Sequence, residues 1–160
     1  MRKAITTIAL TGALAVTLSP TAEAAPVAAV CGGTSTHVTH ATPPVIRTRR
    51  MRRLIRCVFD YYGLAAQIPT ALYVADRESN FIPWAKNPWT QGACRAFSAN
   101  PYGSCGTYQH LARYWAARVR AYLPHRGFPH WPRVSPLSPR ANVIVTARMV
   151  KSGGWGPWSL

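Results

Sequence analysis

Four cysteines, Cys31, Cys57, Cys94 and Cys105, constrain this 160-residue chain more than any other feature. All four follow an N-terminal stretch, residues 1–24, that reads as an export signal. Arg2 and Lys3 form its charged start and residues 5–18 are mostly apolar. Ala22-Glu23-Ala24 then offers small residues at the two positions that signal cleavage reads, which predicts a cut after Ala24. The apolar run is shorter than the roughly 20 residues a membrane span needs, and no later segment could cross a membrane. An even number of cysteines in an exported chain reads as disulfides, with three possible pairings. Cys94 and Cys105 bracket a loop rich in Gly, Pro, Ser and Asn and are the natural local pair. Cys31–Cys57 would then tie the N-terminal extension to the domain. A zinc site using all four thiolates is disfavoured, because the chain has no CxxC pair.

The charge balance narrows the chemistry. There are 19 Lys+Arg against 4 Asp+Glu, a formal net charge of +15. Loss of Arg2, Lys3 and Glu23 with the leader leaves +14 and three carboxylates, Asp60, Asp76 and Glu78. A calcium or magnesium site needs several hard oxygen ligands close together, which this chain cannot supply. A two-carboxylate glycosidase would have to find both members among three residues. With 48% hydrophobic and 11% aromatic residues, the chain is too apolar for wholesale disorder. No metal and no cofactor is expected.

Proline and glycine divide the chain into short helical segments. Residues 25–44 hold Pro26, Pro43 and Pro44, show no sustained periodicity and read as an extended arm. Residues 45–62 set Arg47, Arg49, Arg50, Arg52, Arg53 and Arg56 around Leu54, Ile55, Val58 and Phe59, which suits a helix with a basic solvent face. Pro69 opens a short, mostly buried helix over 69–79. Residues 80–107 are mainly loop. Leu111, Tyr114, Trp115, Arg118, Val119 and Tyr122 recur at helical spacing within 109–123. Ser138-Pro139 looks like a cap and first turn, and Val143, Ala147 and Val150 line one face of a last helix ending at Gly153-Gly154. The expected fold class is all-α, disulfide-stabilised, with at most a small irregular β element in the 84–107 loop. Residues 45–160 are expected to form one domain.

Glu78 is the first candidate for chemistry. At about 100° per residue, Ala71, Val74 and Glu78 share a side of their helix, while Asp76 points roughly opposite. A carboxylic acid on an apolar face avoids the cost of desolvation by staying protonated, the state a general acid needs. The plain alternative is a helix-end glutamate paired with an arginine, Arg77 being next in sequence.

Four groups of residues follow in order: Glu78-Ser79-Asn80-Phe81, Gly106-Thr107-Tyr108-Gln109, Asn142-Val143-Ile144 and Gly154-Trp155-Gly156-Pro157-Trp158. Together they resemble the catalytic domain of lytic transglycosylases and related goose-type lysozyme-like enzymes, over roughly residues 54–160. The resemblance implies a lysozyme-like α-helical fold with Glu78 as catalytic acid/base at the end of a buried helix. Ser79, Tyr108 and Gln109 would line or position the sugar groove. Thr107 and Tyr108 replace the family's usual apolar pair, the loop between the first two motifs carries its own cysteines, and the third motif with its tyrosine is missing. Trp155 is the residue left to fill that place. The implied reaction is cleavage of the β-1,4 bond between N-acetylmuramic acid and N-acetylglucosamine by one glutamate, closing a 1,6-anhydro ring without water. The carboxylate census allows it independently. Lysozyme-type hydrolysis at the same site is the alternative. Peptidoglycan strands and anionic wall polymers are the implied partners of a secreted, monomeric protein.

Other readings rest on other residues. Trp84, Trp89, Tyr102, Tyr108, Trp155 and Trp158 fall in or beside loops, where rings either stack on sugars or anchor the loops. A secreted ribonuclease would need a histidine pair, for which His110 with His125 or His130 is the candidate, while His37 and His40 lie in the arm. A non-catalytic cationic protein would use its arginine cluster on anionic wall polymers or lipids. No specific nucleic acid is expected.

Overall fold

The computed structural model describes residues 26–34 and 36–159. The leader inferred for residues 1–24 lies outside the described residues. The chain is mostly helical, with a small antiparallel sheet and two disulfides. In chain order the elements are α1 (Val27–Val30), α2 (Pro44–Tyr61), α3 (Ile68–Ser79), β1 (Lys86–Asn87), β2 (Ser104–Cys105), β3 (His110–Leu111), α4 (Ala112–Tyr122) and α5 (Pro139–Gly153). Short 3-10 turns at Ala65–Gln67 and Gly156–Trp158 precede α3 and close the chain.

Pro44 starts α2 at its first position, where a missing N–H costs nothing. Met51, Leu54, Ile55, Val58 and Phe59 then bury one stripe at the spacing of a helix face, leaving Arg49, Arg52, Arg53 and Arg56 exposed on the other side. Helix α5 differs in kind. Every residue from 141 to 147 is buried, so it has no solvent face over two turns and is the central element of the core. Ser138 caps it, its Oγ accepting the Ala141 N–H. Helices α2 and α4 pack against α5, and α3 packs on α2.

The N-terminal segment is tied in at several points. Cys31 bonds Cys57, Val27, Cys31 and Val38 join the core, and Arg140 donates to the Gly32 carbonyl. It carries the helical turn α1 where the sequence suggests only extended chain. Cys94 bonds Cys105 and closes the loop between β1 and β2. Both bonds require an oxidising compartment, as export would provide. No helix among the described residues is long and apolar enough to cross a membrane.

The sheet extends beyond the expected β element. Its order is β1-β2-β3, with Lys86 opposite Cys105 and Cys105 opposite His110. Strand β3 therefore occupies residues assigned above to a helix over 109–123. That helix begins only at Ala112, because Gly106 (φ 77°) and Gln109 (φ 49°) turn the chain back on β2. The phase shifts with it: Ala112, Trp115 and Val119 are buried, while Leu111 and Tyr114 are exposed.

Candidate active site

Helix α3 delivers Arg77, Glu78 and Ser79 to its last turn. Asn80 stops the helix in the left-handed conformation (φ 50°), its N–H returning to the Asp76 carbonyl and that of Phe81 to Ala75. The Ser79 hydroxyl lies 2.9 Å from the Thr107 carbonyl and 3.1 Å from that of Ala75, sharing one proton between them. It thus ties α3 to the 106–109 turn.

That turn is held from two further sides. Asn142 in α5 accepts the Tyr108 N–H through Oδ1 (3.0 Å), and its Nδ2 donates to the carbonyls of Cys105 and Pro136. The Trp158 indole donates to the Tyr108 carbonyl at 2.9 Å. Arg77 Nη2 donates to the Trp158 carbonyl at 2.8 Å. All four groups of residues quoted above therefore meet around Tyr108, although they span some eighty positions of sequence.

Beside this junction lies a groove of about 520 Å³ whose lining includes Arg77, Glu78, Gln109, His110, Arg118 and Trp158. Glu78 is its only acidic lining residue among the described residues. Glu78 does not sit in the apolar setting expected for it. Ala71 and Val74 are buried, but one turn later the helix has left the core, and Glu78 Oε1 meets Arg77 at 2.7 Å (Nη2) and 3.2 Å (Nε). The two side chains retain 25% and 37% of their exposure, so the pair is solvated. The hydrogen bond from Arg77 raises that guanidinium's pKa further above its usual value. Glu78 Oε2 has no protein partner among the described residues. Asp76 and Asp60 are exposed elsewhere.

Of the other candidates, Gln109 borders the groove, with Nε2 donating to the Gly106 carbonyl at 2.9 Å. Tyr108 also belongs to the groove lining. Its ring is fully buried, its hydroxyl donates to the Ala71 carbonyl at 3.1 Å, and burial pushes its pKa well up. Its ring supports the turn from beneath. Trp155 is likewise turned inward: its indole donates to Gln67 Oε1 and its ring packs near Phe59 and Trp158, outside the groove lining. Trp84 stacks on His40, and Trp89 is 70% exposed in its loop.

Sequence reasoning missed the floor of the groove. His110 is 1% exposed. Its Nδ1 lies 2.7 Å from Arg118 Nη1, and a guanidinium only donates, so Nδ1 accepts and the ring proton is on Nε2. Nε2 donates to Thr146 Oγ1 at 2.8 Å, which in turn donates to the Asn142 carbonyl. Burial, aided by the Arg118 charge, lowers the His110 pKa to about 3, so the ring is neutral at physiological pH. Burial also lowers the pKa of Arg118. The one available signal was Arg118 itself, an arginine at apolar helical spacing.

A second opening of about 580 Å³ runs along α2, lined by Arg47, Arg49, Arg52, Arg53, Arg56 and Asn80 among others, with no acidic residue among the described residues. Arg52 lies over the Phe81 ring at 4.8 Å and Arg47 over Trp84 at 5.8 Å, which orders two of the guanidinium groups. No group of three His, Cys, Asp or Glu suited to a metal ion occurs among the described residues. Compared with protein-family models, with curated proteins and with solved structures, the chain matches none.

Proposed function

We propose that this chain is a secreted peptidoglycan-cleaving enzyme of the lytic transglycosylase kind, with Glu78 as its single catalytic acid/base. The observation that carries the reading is the meeting of the four motif groups at one junction, beside a groove in which Glu78 is the single carboxylate among the described residues. A glycan strand lies along the groove and displaces Arg77 from Glu78, which takes up a proton. Glu78 gives that proton to the N-acetylglucosamine O4 as the bond from muramoyl C1 breaks. The resulting carboxylate then removes the proton of the muramoyl 6-hydroxyl, whose oxygen closes onto C1. Glu78 ends protonated, no water is consumed, and no cofactor is required. Ser79 and Gln109 hold the end of α3 and the turn in position for this, while Tyr108 and Trp155 support them from the core.

The acid-free arginine cleft on α2 supports an accompanying role, in which anionic wall polymers bind there by charge. A ribonuclease reading loses its histidine pair, because both ring nitrogens of His110 are occupied inside the fold.

Product mass from purified peptidoglycan tests the reading. Muropeptides one water lighter than hydrolysis products are expected, with release by Glu78→Gln lowered by about a hundredfold or more. Products carrying the added water would replace the anhydro outcome by lysozyme-type hydrolysis; undiminished release by the variant would remove Glu78 from catalysis.

A further inference from the structure

We propose that Arg118 makes the floor of the groove a carboxylate subsite, so that the glycan bound there carries a carboxylate substituent; this rests on the glycan-cleaving reading above. Arg118 reaches the groove from the middle of α4 and is half-buried. One nitrogen, Nη1, donates to His110, and the guanidinium lies 5.7 Å from the Tyr114 ring centre. Its remaining N–H groups have no protein partner among the described residues, yet none of its nitrogens is an enclosed, unpartnered atom. Those groups therefore keep access to solvent, on a residue that lines the groove.

A half-buried cation ordinarily needs a counter-ion, since its desolvation is otherwise uncompensated. Arg118 has none. The only ion pair recorded among the described residues joins Arg77 to Glu78, and Arg77 is further engaged by the Trp158 carbonyl. The surroundings nonetheless fix Arg118 in place. Neutral His110 holds it through a lone pair, and Thr146 and the Asn142 carbonyl fix the His110 tautomer from behind. A planar guanidinium held on one edge, with donors free on another, matches a carboxylate through paired hydrogen bonds. On a glycan strand whose stem peptides have been removed, the acid group nearest the sugar ring is the lactyl carboxylate of the muramoyl unit, which in a peptide-bearing strand is an amide; the subsite therefore favours the stripped strand.

The Glu78→Gln protein, which binds without cutting, is titrated with two tetrasaccharides of alternating N-acetylglucosamine and N-acetylmuramic acid. One carries free lactyl carboxylates and the other the corresponding amides. The acid is expected to bind about tenfold to a hundredfold more tightly, the range of a charge-assisted hydrogen bond. Adding Arg118→Gln should erase that preference, chiefly by weakening the acid, while residual binding of both sugars reports an intact groove. Arg118→Lys keeps a charge at the site and guards against a folding defect; it should weaken the preference. Equal binding of the two sugars, or a preference undiminished in both Arg118 variants, overturns the subsite and leaves the glycan reading standing. Binding of neither sugar overturns both.

Discussion

The carboxamide of Asn142 occupies the space that a side chain on Gly106 would need. A Cβ added at Gly106 would collide with Asn142 Nδ2 and with the Pro136 carbonyl oxygen, and the glycine's φ of 77° is itself costly for other residues. The two residues lock the groove turn to the central helix. Gly106→Ala is therefore expected to lower stability by roughly 2–4 kcal/mol, combining backbone strain with the clash. Asn142→Ala leaves the Tyr108 N–H and two carbonyls without their partner, at a cost of about 3 kcal/mol or more. Urea unfolding of both variants checks these values.

Acid should act through His110. Its pKa falls from 6.5 to about 3 on folding, so between those values the unfolded chain takes up a proton that the folded chain refuses. Its contribution to stability is complete above about pH 6.5 and declines as the pH drops towards 3, by up to about 1.4 kcal/mol per pH unit. His110→Gln should be less stable at neutral pH and show a shallower loss in acid. An identical slope in the two proteins, measured by denaturant unfolding across this range, would contradict the assignment.

Charge in the α2 cleft should govern attachment but not cleavage. Replacing the exposed Arg49 and Arg53 by serine is expected to weaken binding to anionic wall polymer and to flatten its dependence on salt. Cleavage of a short soluble glycan should stay as it was. Cosedimentation with walls at several salt concentrations, beside a soluble-substrate assay, separates the two effects.

Glu78→Gln should fold as the native chain does, because the side chain it replaces is partly exposed and supports no buried contact. Activity is expected to fall by about a hundredfold to ten-thousandfold, the usual reach of general acid–base catalysis. Matching thermal unfolding curves for the two proteins would assign the loss to chemistry.

Tyr108→Phe separates architecture from contact. It removes the hydroxyl that satisfies the Ala71 carbonyl and should cost about 1 kcal/mol of stability. Glycan affinity is expected to be unchanged, since the ring is enclosed. A marked loss of affinity at unchanged stability would show that the ring reaches the sugar after all.

Much of the frame was legible in the chain. Periodic apolar residues located α2, and the proline, serine and glycine signals at their ends located α3 and α5, each to within a residue or two. The local cysteine pair followed from the loop it encloses, and the other bond from what remained. Strand β3 was not legible: a two-residue strand carries no alternation, and a Gln in the left-handed region gives no warning of the turn before it.

The sequence by itself determined the scarcity of acids, the basic face of α2, the cross-links and the candidacy of Glu78, since each is a property of residue type and local spacing. Only the tertiary structure decided how those residues are used. It turned Tyr108 and Trp155 inward, set Arg77 on Glu78, and brought His110, Arg118, Thr146 and Asn142 into one polar chain beneath the groove. The physical reason is that such contacts join residues distant in sequence. A buried donor or acceptor is satisfied by whatever packing places beside it, and the order of residues does not record that neighbour.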